Sequence, residues 1–566
     1  MKKELSMEAR LLIAFLLMGV VLLVSQYFVK PAPAPVATKA GAQVNVQPVS
    51  PAATQPPPPL PAPKGAGSEP GVQVQGYTEQ TAEVDTDLFH VVFTNRGAVV
   101  RSWILKDYKD HAGKPLELVN QRALLKVPPP FALAFQGTAP ATDPNTALFK
   151  VDRSDRGLTL NFEFSDGRAL TKKTFQFEQK SFLIRVTSEV SQNGVLVPHE
   201  ITWRGGFGDA GVVNPLTVQH AIYYDPNAAG GFLGLGSKLQ VKTAKDAKNG
   251  PVSATAPFSF VGIEDSYFAA AFLPGNKSSV EQTTYSDGVP DAKGTDEQRV
   301  GVGVGGGGVN TLSLFVGPKD TDLLRKVDPK LEQVVDWGWF WFLAQPLFTA
   351  LNWTTDHLVH NYGWSIVLVT IIINLVLFPL RLTSMKSSRK MQTLQPQINA
   401  INEKYKGYPI RDPRQSEKNA EIMDLYKKND VNPVGGCLPM VLQLPFLWAF
   451  YKVLAVSIEM RGAHWLWVTD LSQPEALAIH MLPVLLIVTQ FLTQKMTPSP
   501  GMDPSQQKMM MVMPLIFGYM FYFASSGLVL YWLTGNVVAV AQQWALNRIS
   551  PPPVVAKIVS NKKSRS

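Results

Sequence analysis

Five long apolar segments in the C-terminal part of the chain constrain its fold more than any other feature. Each has 17 to 23 residues, and a helix needs about 20 apolar residues to cross a bilayer core about 30 Å thick. A further apolar run opens the chain at residues 11–29. The five segments are residues 363–382, 434–456, 477–496, 508–524 and 527–547. The sequence therefore predicts a polytopic α-helical membrane protein with six spans.

Composition agrees with a membrane bundle joined to a large water-soluble domain. The chain has 566 residues, of which 45% are hydrophobic. Its single cysteine, Cys437, excludes an internal disulfide and a multi-cysteine metal site. The sequence contains no phosphate-loop motif, so the chain carries no ATP motor of its own. We predict a protein that is not an enzyme and that uses no cofactor or metal.

Lysine and arginine are concentrated in a few connecting segments, and this distribution predicts the orientation. Residues 381–432, between the second and third spans, carry eleven positive and six negative side chains. Basic residues also precede the first span and follow the last, in the tail 549–566. The connector between the third and fourth spans offers only Arg461. The pattern predicts that both termini are cytoplasmic and that residues 30–360 are exported.

The first apolar run is predicted to be an uncleaved signal anchor, within residues 1–29. No small-x-small motif directly follows it, and Ala32-Pro33-Ala34 is followed by Pro35, which is unfavourable for cleavage. Residues 31–63 contain eleven prolines and one charge, Lys39. Proline fixes φ and removes donors, so we expect an extended, semi-rigid linker over residues 30–75.

Alternating apolar and polar residues predict half-buried strands over residues 76–330, as in Leu158–Phe164 and Thr311–Val316. Turn signals such as Asn193-Gly194 separate the strands. No long helical period appears before about residue 320, so we predict an all-β sandwich domain.

Two features of this region bear on catalysis or ligand binding. The run Gly301–Gly308 lacks the lysine and the Ser/Thr of a phosphate loop, and we expect a flexible loop there. Sugar-processing sandwiches use a histidine and a carboxylate, but the histidines here stand in no recognisable motif and are expected to be structural. They are His90, His111, His199 and His220.

A cluster of tryptophans follows the predicted β domain. Trp337, Trp339, Trp341 and Trp353 lie just before the second span. Tryptophan prefers the headgroup boundary of a bilayer, so we predict a short amphipathic helix in the outer interface, within residues 331–360. The alternative is a buried aromatic core of the sandwich.

Polar residues inside the spans predict a hydrated cavity. In the second span, residues 361–382, the helical period places Thr370, Asn374 and Arg381 on one stripe. Gln443 in the third span and Thr534 and Asn536 in the sixth, within residues 433–548, extend the polar set. Such groups are costly in lipid and face a partner or a watery cavity. Hydrogen bonding between helices is the alternative for any single residue.

Methionine is abundant in the membrane half: thirteen of the sixteen lie at or after Met385. Flexible thioether surfaces suit partners of many shapes, so we predict a surface along which a client helix slides. Ordinary lipid-facing packing is the alternative. The methionines assigned to this slide are Met440, Met509, Met510 and Met513.

The basic insert, residues 383–432, predicts a cytoplasmic helical hairpin. Lys386–Tyr405 and Glu417–Asn429 have helical apolar periods, and a Gly/Pro-rich break separates them. The positive surplus suits anionic lipids, ribosomal RNA or acidic nascent segments rather than DNA. The side chains assigned to this surface are Lys386, Arg389, Lys390, Lys404, Lys406, Lys427 and Lys428.

Several motifs resemble the signature of YidC-type membrane protein insertases in their Gram-negative form. They are Phe378-Pro379-Leu380, Leu394-Gln395-Pro396, Asn432-Pro433-Val434-Gly435-Gly436-Cys437-Leu438-Pro439, Gln443-Leu444-Pro445 and Ser526-Gly527-Leu528-Val529-Leu530-Tyr531-Trp532. The resemblance implies a five-helix insertase core with a hydrophilic groove, a periplasmic β-supersandwich and a place in the bacterial inner membrane. It also implies partnership with the Sec translocon, the ribosome and the signal-recognition pathway. Tyr531 and Trp532 are assigned to the groove on this basis.

One departure from the family pattern concerns charge. The family usually places an arginine in the groove on the second span, and Asn374 occupies that position here. Asparagine cannot supply positive charge to an acidic client tail. Arg381 lies on the same stripe and is long enough to reach towards the groove, so we expect it to take over this role.

The predicted function is a membrane protein insertase and chaperone. Nascent membrane proteins would enter the groove and leave it laterally into lipid, without covalent chemistry. Two other classes are considered. One is a transporter or flippase whose β domain binds a periplasmic glycan, and the other is a structural scaffold for periplasmic chaperones.

Overall fold

The computed structural model describes residues 72–549, apart from several internal segments. Those segments are 111–112, 210–218, 229–237, 276–278, 292–293, 409–411, 430, 432–437 and 497–503. The predicted signal anchor, the linker up to residue 71 and the tail from residue 550 lie outside the described residues. The chain divides into two compact units, a β-rich unit up to Gly317, without residues 266–268, and a helical unit from Pro318.

The described part of the β-rich unit has 19 strands. They are β1 (Thr81–Asp85), β2 (Phe89–Thr94), β3 (Val99–Lys109), β4 (Pro115–Glu117), β5 (Leu133–Ala134), β6 (Lys150–Ser154), β7 (Thr159–Ser165), β8 (Ala169–Gln176), β9 (Leu183–Gln192), β10 (Val195–Leu196), β11 (His199–Trp203), β12 (His220–Tyr224), β13 (Leu239–Lys242), β14 (Val252–Ala256), β15 (Val261–Glu264), β16 (Phe268–Pro274), β17 (Val280–Pro290), β18 (Asp296–Gly307) and β19 (Val309–Pro318).

These strands form three sheets of four, ten and five strands. Their orders are β1-β2-β3-β4, then β13-β12-β15-β16-β19-β9-β8-β7-β6 with β10 beside β9, and β14-β17-β18-β11-β5. Alternation explains the burial: in β7, the apolar residues Leu160, Phe162 and Phe164 are buried, whereas Asn161 and Glu163 between them are half-buried. The all-β domain predicted from the sequence is confirmed.

Aromatic side chains dominate the core of this unit. Phe93 and Phe175 lie 4.7 Å apart between ring centroids, and Trp103 and Trp203 lie 6.1 Å apart. All four are fully buried. Because each buried aromatic ring removes about 150–250 Å² from water, this cluster is a large contribution to the stability of the sandwich.

Turn chemistry agrees with the sequence at the β9–β10 hairpin. Asn193 and Gly194 have φ of +52° and +77°, the left-handed pair that a tight two-residue hairpin turn requires. The glycine run, in contrast, was wrongly predicted to be a flexible loop. Most of Gly301–Gly308 belongs to β18, which pairs with both β17 and β11.

The described part of the helical unit contains ten α-helices. They are α1 (Thr321–Val327), α2 (Trp341–Thr354), α3 (Tyr362–Val376), α4 (Phe378–Thr393), α5 (Gln395–Lys404), α6 (Arg414–Lys428), α7 (Leu438–Val456), α8 (Met481–Met496), α9 (Pro504–Tyr522) and α10 (Ser526–Ile549).

The predicted second span is interrupted near its C-terminal end. Helix α3 ends at Val376, and α4 begins at Phe378 with Pro379 in its first turn. Proline has no amide hydrogen for the preceding turn, which accounts for the break. Within the described residues, no individual helix combines the length and hydropathy of a membrane span, whereas Trp341–Val359 and Tyr362–Val376, bent by 114°, combine them as a pair.

The insert between α4 and α7 has a small core of its own. Met391, Leu394, Ile398, Tyr426 and Val431 are buried together, and Ile422 and Leu425 pack against them. These are largely the apolar positions that recur at helical spacing in the sequence. Lys404 Nζ and a Glu421 carboxylate oxygen, 2.9 Å apart, form an exposed ion pair between α5 and α6.

Candidate functional site

Helix α3 places Thr370 and Asn374 one turn apart. Thr370 is fully buried, and its Oγ1 donates to Ile366 O at 2.6 Å. The side-chain amide of Asn374 donates back to Thr370 O at 2.8 Å. Both side chains therefore donate one hydrogen bond to a backbone carbonyl of their own helix. The Asn374 side chain keeps its Oδ1 acceptor for other partners.

Arg381 on α4 is linked to Asn374 through Gln542 of α10. The Arg381 Nη1 donates to Gln542 Oε1 at 3.1 Å. The Gln542 Nε2 donates to Asn374 O at 3.3 Å. One amide side chain thus bridges the Arg381 guanidinium and the Asn374 backbone. Gln542 was visible in the sequence as a polar residue of the sixth span, but nothing there indicated this bridging position.

A cavity of about 100 Å³ lies beside these residues. Four of its lining residues were assigned to the groove from the sequence: Asn374, Arg381, Gln443 and Tyr531. The remaining lining residues are apolar, namely Ile373, Leu377, Leu380 and Phe446. Since a single water needs at least about 10–15 Å³ of such space and two or more polar partners, the cavity accommodates several waters.

Tyr531 forms a rigid wall of the cavity. Its ring stacks on Phe450 of α7 with centroids 4.0 Å apart and an interplanar angle of 18°. Tyr531 is buried, whereas Gln443, which also lines the cavity, is exposed. The cavity is therefore polar and open at one side and closed by an aromatic pair at another.

Three residues assigned to the groove lie elsewhere on α10. Trp532 packs against Phe517 and Phe521 of α9, with ring centroids 5.8 and 5.0 Å away. The Asn536 side chain donates to Gln490 Oε1 of α8 at 2.7 Å. Thr534 is buried and does not line the cavity. At about 100° per residue, Asn536 is turned by about 140° from Tyr531, so these side chains meet different neighbours.

The methionines assigned to the slide are only partly within the described side chains. Those of Met440, Met509 and Met510 lie outside them. Met513 is half-buried on α9, and exposed apolar side chains recur at helical spacing along that helix and just after its end. The exposed members are Met511, Val512, Leu515, Ile516, Tyr519, Met520 and Phe523.

The basic side chains of the insert divide into paired and unpaired groups. Lys404 pairs with Glu421, Lys406 pairs with Glu403, and Arg389 donates to Asn547. The others are exposed and form no ion pair with a described residue. They are Lys386, Lys390, Lys427 and Lys428.

Two family models match this chain. Residues 353–552 match the 60Kd inner membrane protein family, and residues 81–350 match the YidC periplasmic domain. The chain is 34% identical to the membrane protein insertase YidC of Ralstonia nicotianae, over 87% of this chain and 88% of that protein. It is 32% identical to the membrane protein insertase YidC of Geotalea daltonii, over 96% of this chain and 100% of that protein.

A solved structure is also similar. It is the crystal structure of an active YidC insertase in which the first transmembrane domain is resolved. The TM-score is 0.36 at 20% identity, and the match covers 83% of this chain and 93% of that chain.

The fold, the two family models and the sequence relatives define the class of protein: a bacterial inner-membrane protein with a large periplasmic β domain and a helical region that contains a polar cavity. The chain belongs to the YidC family, whose curated relatives are named membrane protein insertases. The family resemblance predicted from the sequence motifs is confirmed.

Proposed function

We propose that this chain inserts nascent membrane proteins into the bacterial inner membrane, and that the cavity beside Asn374 and Arg381 receives the polar flank of the client. Membership of the YidC family supports the function. The convergence of Asn374, Arg381, Gln443 and the Tyr531 hydroxyl on one cavity among apolar helices supports the site. No covalent step is needed, because insertion is a transfer between solvents.

Solvation explains why such a cavity promotes insertion. An amide without a hydrogen-bond partner costs several kcal/mol in hydrocarbon, so a polar flank faces a high barrier across a dry bilayer. Waters and side-chain amides inside the helical region reduce the thickness of hydrocarbon that the flank must cross without hydrogen-bond partners. The apolar helix of the client then gains about 25 cal/mol for each Å² that leaves water, which drives its release into lipid.

The topology belongs to the same proposal. Six spans, cytoplasmic termini, a periplasmic domain over residues 76–330 and an interfacial helix within residues 331–360 account for the distribution of charge and tryptophan. Trp339, Trp341 and Trp353 are exposed around α2, as expected of side chains that reach the headgroup boundary. The hairpin 383–432 is then cytoplasmic.

Arg381 supplies the positive charge that Asn374 lacks. Two observations support this assignment: Arg381 lines the same cavity as Asn374, and Gln542 holds the guanidinium by one hydrogen bond. A guanidinium has five N–H donors, so the bond to Gln542 leaves donors for an acidic client group. Its attraction to a carboxylate is strongest where water is partly excluded.

The partners follow from exposed charge and exposed apolar surface. The exposed lysines of the hairpin suit anionic lipid headgroups, ribosomal RNA and the signal-recognition pathway. The apolar face of α9 suits a client helix that leaves the cavity, and contact with the Sec translocon extends this route to larger clients.

The charge assignment is tested with the full chain in proteoliposomes and two versions of one client. The first client has an acidic tail, and the second has the same tail with asparagine in place of aspartate. We expect Arg381→Ala to reduce insertion of the acidic client about fivefold or more, which corresponds to about 1 kcal/mol or more. Insertion of the neutral client should be unchanged, and Arg381→Lys should retain most of the activity.

A different pattern would contradict the assignment. Equal loss with both clients would mean that Arg381 acts through the fold rather than through charge. If Arg381→Ala kept full insertion activity and Asn374→Ala lost it, the groove would act without the positive charge of Arg381. A photocrosslinker at position 443 separates an insertase from a transporter, because only an insertase should capture the nascent chain during synthesis.

A further inference from the structure

A second cavity, of about 110 Å³, lies within the β-rich unit at the start of β11. It is enclosed by the turn after β5, the segment that leads into β11, and the facing strands β17 and β18. Gln136, Thr138, His199, Glu200 and Glu281 are its polar lining residues. Residues 136–138 are exposed, so the cavity opens to solvent there. The insertion mechanism makes no use of this space.

Glu200 is the principal polar group of this cavity. Its side chain is 1% exposed, yet it forms no ion pair with a described lysine or arginine. Instead, its Oε1 accepts from Thr283 Oγ1 at 2.7 Å and its Oε2 accepts from Tyr285 OH at 3.1 Å. The side chain of Gln136 is a further donor to this carboxylate. A carboxylate has about four acceptor positions, so these donors leave about one position for a ligand. Burial raises the pKa of Glu200 to about 7.

His199 borders the cavity as a neutral ring. Its Nδ1 is 2.9 Å from Val197 O, while its Nε2 is 2.7 Å from Ser188 Oγ and 3.1 Å from Asn310 Nδ2. Both ring nitrogens are therefore occupied within the domain. Burial lowers the pKa of His199 to about 4, so the ring carries no charge at neutral pH. The sequence-based expectation of a structural histidine agrees with these contacts.

Glycines of β18 keep this space open. A Cβ at position 303 would lie 2.6 Å from Glu200 Oε2, and a Cβ at position 306 would lie 3.1 Å from Glu281 Cβ. Gly306 also has φ of +96°, which other residues adopt only with strain. The pairing of β11 with β18 is shifted between His199 and Glu200, an irregularity of the kind that redirects side chains. Larger residues in this run would fill the cavity.

The lining selects a ligand by charge, surface and size. It contains two carboxylates and no lysine or arginine, so phosphates and carboxylates are repelled. Most of the wall is carbon, which suits the C–H faces of a ring. A cavity of about 150 Å³ holds one benzene-sized molecule, so this open cavity takes one six-membered ring that protrudes slightly at the mouth.

We propose that this cavity binds one neutral, hydroxyl-bearing ring, such as the terminal pyranose of a glycan, with the Glu200 carboxyl group accepting a hydrogen bond from a ring hydroxyl. This binding site is independent of the insertion activity. The periplasmic domain thus binds a ligand that takes no part in insertion.

The proposal is tested with the full chain in phospholipid nanodiscs that contain no glycoside detergent, because such detergents carry pyranoses themselves. Saturation-transfer NMR is recorded with glucose, galactose and N-acetylglucosamine, and with glucose 6-phosphate and tetramethylammonium for comparison. At least one neutral sugar should receive saturation. Glu200→Gln should weaken its binding about fivefold or more, the loss expected for one strong hydrogen bond.

Two matched variants guard against a folding artefact. Thr138→Trp blocks the mouth from an exposed position and should abolish the sugar signal, whereas Thr78→Trp, also exposed but away from the cavity, should leave it unchanged. Absence of a signal for all three neutral sugars would overturn the proposal. So would equal binding by Thr138→Trp, or a cavity-dependent signal from tetramethylammonium alone, which would indicate a cation site.

Discussion

The guanidinium of Arg381 and the side-chain amide of Gln542 form a hydrogen bond of 3.1 Å between α4 and α10. The same amide donates to Asn374 O, so α3, α4 and α10 meet at Gln542. Gln542 carries no charge and does not line the cavity. It nevertheless fixes the position of the Arg381 guanidinium, which is charged and lines the cavity. This relationship makes Gln542 a positioning residue in the proposed mechanism.

Replacement of Gln542 should affect acidic clients selectively. In Gln542→Glu, the new carboxylate pairs with Arg381 and neutralises the charge that the client would meet. We expect insertion of an acidic-tailed client to fall about fivefold or more, and insertion of the neutral-tailed version to change little. The measurement is protease protection of both clients in proteoliposomes.

Gln543 provides the control for this experiment. It is the next residue of α10, is also buried, and bonds to Asn547 rather than to Arg381. Gln543→Glu should not discriminate between the two clients. Similar selectivity in both variants would show that added negative charge on α10, rather than the contact with Arg381, is responsible.

Water should reach the cavity but not the contact between α8 and α10. In a chain with Cys437→Ser, a cysteine at position 443 should react with a membrane-impermeant maleimide, because Gln443 is exposed and lines the cavity. A cysteine at position 536 should react slowly, since Asn536 is buried against Gln490. Slow labelling at both positions would indicate a dry interior and remove the basis of the mechanism.

The aromatic wall of the cavity should matter for stability. Tyr531→Ala removes a buried ring that stacks on Phe450, and we expect a loss of about 3 kcal/mol in the free energy of unfolding. Tyr531→Phe keeps the ring and should cost less than about 1 kcal/mol. Unfolding in mixed micelles compares the two variants. Equal losses would mean that the hydroxyl, rather than the ring, carries the contribution.

The stability of the β domain should depend on pH through Glu200. Burial raises the pKa of this carboxyl group to about 7, so the folded state favours the protonated form. That contribution is fully present below the unfolded pKa of about 4.3 and is lost as the pH rises through 7. Between pH 4 and pH 8, the wild type should lose roughly 3 kcal/mol relative to Glu200→Gln.

This pH dependence is measured as a difference between two unfolding curves. Hydrogen exchange of the backbone amides of β11 and β18, recorded across a denaturant series, reports on the β domain. Because His199 is present in both proteins, its own titration cancels to first order. Parallel pH profiles for the wild type and Glu200→Gln would show that Glu200 is not protonated on folding.

Local sequence patterns were sufficient to predict the strands and turns of the β domain that are named here. Leu160, Phe162 and Phe164 alternate with polar residues, and alternation alone places them on one face of a strand. Asn193-Gly194 is a turn by its own backbone preference. The prediction for the glycine run was wrong for a physical reason. Gly303 and Gly305 are required by the close approach of β11, a strand about 100 residues earlier in the chain, and no local pattern reports that approach.

By itself, the sequence determined the family, the all-β domain and the one-turn spacing of Thr370 and Asn374, because motif spacing and helical period are properties of a single segment. Only the tertiary structure decided which polar residues share the cavity. Tyr531 and Asn536 lie on the same helix, yet one meets Phe450 of α7 and the other Gln490 of α8. A helical period fixes the angle between two side chains, but the packing of neighbouring helices determines what each of them faces.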